Sequence, residues 1–86
     1  MTIKILLVDD QMLVREGIKS LLNLSSKVVV VGEAKDGSEV LNAIKQCAPD
    51  IILLDLSMPV MDGIATLALL KDNQIETPVI ILTTFD

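Results

Sequence analysis

Aliphatic residues gather in four short blocks, Ile3–Val8, Val28–Val31, Ile51–Leu54 and Val79–Leu82. Between the blocks lie longer stretches in which apolar residues return every three or four positions. The blocks predict strands buried on both faces, and the intervening periodicity predicts helices. Met12–Leu24 places Leu13, Val14, Ile18, Leu21 and Leu22 on one helical face, with Arg15, Glu16 and Lys19 outside. Ala34-Lys35-Asp36-Gly37 is turn chemistry. Asp36 is expected to cap the next helix, with Glu39 three positions on completing a capping-box-like pair. That helix carries Val40, Leu41 and Ile44, and Pro49 forbids its continuation. Asp62-Gly63 opens a third helix reaching about Asn73, and Pro78 introduces the fourth strand.

The resulting β-α-β-α-β-α-β alternation predicts an α/β fold with a parallel sheet and helices on its faces. Right-handed crossovers bring every strand's C-terminal end to one edge of the sheet. The first and third blocks are the natural central strands. With the second strand outside the first, the order begins 2-1-3-4, and ligands of such sheets bind beyond the strand ends where the order reverses.

Three carboxylates fall at that place: Asp9 and Asp10 after the first strand, and Asp55 after the third. One acidic residue after a strand reads as a solvated loop or a helix cap. Two clusters on neighbouring central strands repel one another, and a divalent cation is the natural compensation. The chain has no histidine and no thiolate is expected at this edge, so the ligands are expected to be oxygens and magnesium the natural ion. Thr83 and Thr84 end the fourth strand at the same edge, where a hydroxyl can hydrogen-bond an anion carried by Asp55; simple strand propensity explains them as well. After Asp55 come Ser57-Met58-Pro59 and Val60-Met61-Asp62-Gly63, a short loop stiffened by proline and glycine, in which a carbonyl near Ser57 is a further candidate ligand. Asp62 is expected to be the cap of the third helix.

Charge and composition narrow the chemistry. A net charge of −5 leaves no basic surface for direct nucleic-acid binding. Eighty-six residues allow one domain, with 51% hydrophobic residues and Phe85 as the sole aromatic. No apolar block approaches the roughly 20 residues of a membrane span. The single Cys47 excludes a disulfide framework and fits a reducing cytoplasm, and no secretory signal is expected ahead of the first strand. Cys47, Met12, Met58 and Met61 are expected to be packing residues.

Taken together, Leu7-Val8-Asp9-Asp10, the run Ile52–Gly63 and Pro78-Val79-Ile80-Ile81-Leu82-Thr83-Thr84 resemble the receiver domain of two-component response regulators, over the entire chain. The resemblance implies a flavodoxin-like doubly wound sheet and a phosphoacceptor rather than an enzyme, with at most self-phosphorylation and autodephosphorylation at Asp55. It implies that Asp55 takes a phosphoryl group from the phosphohistidine of a sensor histidine kinase. By the same resemblance Asp9 and Asp10 are expected to hold magnesium with Asp55 and the backbone carbonyl of Ser57, Thr83 to be the switch hydroxyl, and Thr84 to take the small-residue position beside it. Arg15-Glu16-Gly17 and Leu82-Thr83-Thr84-Phe85-Asp86 are similar to regulators carrying a C-terminal LuxR-type helix-turn-helix, so DNA binding would belong to an output domain outside this segment.

Receivers of this family continue through a fourth helix, a fifth strand and a fifth helix, and the fifth strand carries a lysine that pairs with the phosphoryl group. The sequence ends at Asp86, so residues 1–86 are expected to form a receiver without those elements. None of Lys4, Arg15, Lys19, Lys27, Lys35, Lys45 and Lys71 is expected to end a strand at the active edge. The fourth strand is then expected to be an open edge, favouring a homodimer or larger oligomer. A haloacid-dehalogenase-like phosphatase would need an aspartate at Ser57, and a dinucleotide-binding half-domain would need glycines at Asp9-Asp10-Gln11. The remaining alternative is a receiver that serves assembly without phosphotransfer.

Overall fold

The computed structural model describes residues 2–55 and 60–82, with side chains of the second stretch from residue 63. Its strands are β1 (Ile3–Val8), β2 (Val28–Ala34), β3 (Ile51–Asp55) and β4 (Val79–Leu82), and its helices are α1 (Met12–Leu22), α2 (Gly37–Cys47) and α3 (Val60–Asp72). The strands pair in parallel in the order β2-β1-β3-β4, the expected topology. Side chains alternate across a strand, so each central strand feeds two cores. Leu6, Val8, Ile52 and Leu54 pack on one face with Ala34, Val40 of α2 and Leu70 of α3. Ile5, Leu7 and Leu53 pack on the other, under Ile18 and Leu22 of α1.

Backbone bonds outside the ladders set the strand ends. Asp50 N–H donates to Lys4 O at 2.8 Å, while Lys4 N–H donates to the Asp50 carboxylate at 2.9 Å, which aligns the start of β3 with β1. Ile52 N–H donates to Pro78 O at 2.9 Å and brings β4 alongside β3.

Four details differ from expectation. The helix α1 stops at Leu22 with Asn23 as its cap, and its buried stripe is narrower than the periodicity suggests. Leu13 and Leu21 are 82% and 69% exposed, because only the Ile18–Leu22 side meets the sheet. The strand β2 continues through Gly32, Glu33 and Ala34. The helix α3 starts at Val60, before the expected cap at Asp62. At α2 the Asp36 carboxylate accepts from Ser38 N–H at 2.9 Å, but Glu39 reaches one residue further back than in a capping box, accepting from Lys35 N–H at 2.9 Å. The Ser38 hydrogen bonds hold the Asp36 carboxyl below its ordinary value.

The continuation of β2 contains an irregularity with a functional consequence. Ile5 pairs with Val30, but Leu6 pairs with Gly32, so Val31 is an extra residue. An inserted residue reverses which face every later side chain meets. Without it Glu33 would point toward α2; with it, Glu33 pairs beside Leu7 and faces α1. Gly32 then lies against α2, where an added Cβ would stand 2.7 Å from Cys47 Sγ. No helix among the described residues is long and apolar enough to cross a membrane.

Candidate functional site

Two of the expected carboxylates are brought together by the sheet itself. Val8 pairs with Leu54, so Asp9 and Asp55 stand side by side at the next step along adjacent strands. Both are fully buried. Asp55 still belongs to β3 and pairs with Leu82 on its other side. Asp9 extends the β1–β2 ladder, since its N–H donates to Ala34 O at 3.0 Å. Its Oδ1 accepts from Gln11 N–H at 2.8 Å, which turns the chain sharply and leaves Asp10 exposed at the crest.

This turn has a partner that sequence reasoning placed on the outside of the helix. Arg15 donates from a guanidinium nitrogen to Asp9 O at 2.6 Å and from Nε to Glu33 Oε1 at 3.2 Å. Its side chain is only 17% exposed. Helical side chains lean toward the helix N-terminus, so a residue in the first turn reaches back over the preceding loop. That lean was the available signal; the continuation of β2 to Glu33 was not legible in the sequence. Lys19 joins the same cluster, 2.9 Å from Glu16 and 3.0 Å from Glu33, and these hydrogen bonds, Glu16 first, raise its pKa above the ordinary lysine value. A further cation departs from expectation: because β2 reaches Ala34, Lys35 directly follows a strand at the acidic edge, where it is exposed.

Among the described residues no group of three or more Asp, Glu, Cys or His side chains is assembled for a metal. Asp9, Asp10 and Asp55 are therefore not gathered into such a group, and Asp10 is exposed where the other two are buried. The donor set nevertheless fits magnesium in kind. That ion keeps several waters and needs only one or two carboxylates, all with hard oxygen donors. Two buried acids side by side also favour a compensating cation. Ser57, Thr83 and Thr84 lie outside the described residues, as do Met58 and the side chains of Met61 and Asp62.

Comparison with known proteins points one way. The family profile of the response regulator receiver domain matches residues 5–86. The transcriptional regulatory protein YdfI of Bacillus subtilis is 41% identical over 83 residues, covering 96% of this chain and 38% of the relative. A protein-glutamate methylesterase/protein-glutamine glutaminase of Clostridium acetobutylicum is 41% identical over 81 residues, covering 94% of this chain and 24% of the relative. The crystal structure of a LuxR-family two-component response regulator from Aurantimonas superposes with a TM-score of 0.85 at 31% identity, covering 100% of this chain and 61% of that one. The chain thus spans well under half the length of the two sequence relatives.

Proposed function

Since the chain belongs to the response regulator receiver domain family, we propose that Asp55 is its phosphoacceptor and that a sensor histidine kinase is the donor. The observation that carries this reading is a fully buried aspartate at the end of a central strand, beside the equally buried Asp9. Transfer breaks the P–N bond to the kinase imidazole and forms a P–O bond to the Asp55 carboxylate. The released electron pair stays on the imidazole nitrogen, which takes up a proton. Such transfers depend on positioning and charge neutralisation.

Asp9, Asp10 and Asp55, with the Ser57 carbonyl, are the residues that would hold magnesium. When bound, the ion offsets the repulsion between the phosphoryl oxygens and the carboxylates. Thr83 would hydrogen-bond the attached phosphoryl group, and Thr84 supplies a small neighbour. The position is cytoplasmic and the output is transcriptional, through a LuxR-type DNA-binding domain, in keeping with the similarity to YdfI and to the LuxR-family structure. The similarity to a methylesterase means that a receiver alone does not dictate its output.

The test is labelling by acetyl phosphate with magnesium, read by intact mass. One phosphoryl group is expected on the native chain and none on Asp55→Asn, and chelation of the metal should abolish the label. Labelling of Asp55→Asn equal to the native chain would assign the acceptor elsewhere. The second reading, an assembly module without phosphotransfer, is favoured by the exposed aliphatic side chains of α1 and β4. Such a module need bind neither magnesium nor beryllofluoride, whereas a phosphoacceptor should bind both together.

A further inference from the structure

We propose that Arg15 is a positioning residue for the acidic edge, holding the Asp9-Asp10-Gln11 turn by the Asp9 carbonyl and thereby strengthening its affinity for magnesium. The proposal rests on the reading of Asp9, Asp10 and Asp55 as the metal edge. It starts from three bonds that meet on one short turn. Asp9 N–H is fixed to Ala34 O at 3.0 Å, Asp9 Oδ1 to Gln11 N–H at 2.8 Å, and Asp9 O to the Arg15 guanidinium at 2.6 Å. A fourth, from Arg15 N–H to Gln11 O at 3.0 Å, starts the helix that carries the guanidinium. The peptide linking Asp9 to Asp10 is thereby held at its carbonyl, and the exposed Asp10 hangs from that peptide.

The guanidinium is itself aimed. Glu33 accepts from Arg15 Nε at 3.2 Å, and Glu33 faces α1 only because Val31 is an extra residue in β2. The planar fork of arginine suits this double duty, and the compact ammonium of lysine can meet only one of the two acceptors well. A charge-assisted bond to a carbonyl is also stronger than a neutral one. Groups that orient metal ligands through such bonds commonly change metal affinity about 10- to 100-fold when removed. Lys19 shares Glu33 and the same helix but touches nothing on the turn in the bonds described, which makes it the natural control.

The experiment compares the native chain with Arg15→Met, Arg15→Lys, Lys19→Met and Asp10→Asn. Magnesium affinity is measured by calorimetry. Exchange of the Gln11 amide is measured without metal, relative to the Ile52 amide of β3. Arg15→Met is expected to weaken magnesium about tenfold or more and to speed Gln11 exchange, with Arg15→Lys intermediate. Lys19→Met should match the native chain in both. Native-like affinity in Arg15→Met, or an equal loss in Lys19→Met, overturns the proposal, because a general α1–β2 clamp would treat the two cations alike. Absence of magnesium binding in the native chain overturns the phosphoacceptor reading instead. The metal-free exchange then decides for Arg15, and unchanged Gln11 protection in Arg15→Met rejects its hold on the turn.

Discussion

Ala48 closes α2 with φ 45° and ψ 60°, a left-handed conformation that suits glycine and costs an alanine about 1 kcal/mol. The adjoining Pro49 disfavours helix in the residue before it, so the chain must leave α2 here. Ala48→Gly is therefore expected to raise stability by about 0.5–1 kcal/mol in urea unfolding, the relief of strain outweighing the added freedom of the unfolded chain. A loss of stability would mean that the left-handed turn is not populated. Pro49 made the end of this helix legible in the sequence; the conformation of Ala48 was not, because the usual signal is glycine or asparagine. The same limit applies to Asp9 and Asp10. They are chemically identical neighbours, yet Asp9 is tied to the β2 ladder and to Gln11 N–H and is buried, while Asp10 is exposed.

Among the elements, β2 departs most from its sequence pattern. Its valine run ends at Val31, and Gly32-Glu33 lacks the aliphatic character by which strands are read. The ladder nevertheless runs on, because the extra residue turns Gly32 and Ala34 toward α2 and Glu33 toward the cations of α1. Periodicity likewise overestimated the buried stripe of α1, since it reports amphipathicity without saying how much of the sheet a helix covers. The close approach of Gly32 to Cys47 gives a test at this scale. Gly32→Ala places its Cβ 2.7 Å from Cys47 Sγ, an atom that can turn about one bond, so the overpacking is expected near the lower end of about 1–3 kcal/mol. Adding Cys47→Ala removes that atom, and the double variant should recover about 1 kcal/mol relative to additivity. Strict additivity in chemical unfolding would show that α2 and β2 are not so closely packed at this point.

For the molecule as a whole, topology was the most legible level. Four aliphatic blocks and three helical spacings suffice for a parallel sheet ordered 2-1-3-4, because crossover handedness leaves few alternatives. Surface coverage was less so. Within the described residues the sheet has two edges, β2 and β4, and Ile80 and Ile81 of β4 are about half exposed on opposite faces. Leu13 and Leu21 of α1 are exposed as well, and exposed aliphatic side chains of this kind can promote self-association. Light scattering over a tenfold dilution series is expected to show a mass that rises with concentration, and Leu13→Glu with Ile80→Lys should flatten the rise. A constant monomer mass in the native chain would refute it.

The central place of β1 also bears on how the polypeptide is made. Synthesis delivers β1 before the other three strands, yet one of its two neighbours, β3, follows some forty residues later, after α1, β2 and α2. A nascent chain that has folded only β1, α1, β2 and α2 therefore displays Ile5, Leu6, Leu7 and Val8 along an unpaired backbone edge until Ile51–Leu54 emerges. Non-local pairing of this kind is slow and leaves chains open to aggregation while they wait. The buried aspartates come together only at the end of that wait, so the acidic edge is assembled after translation has passed Asp55.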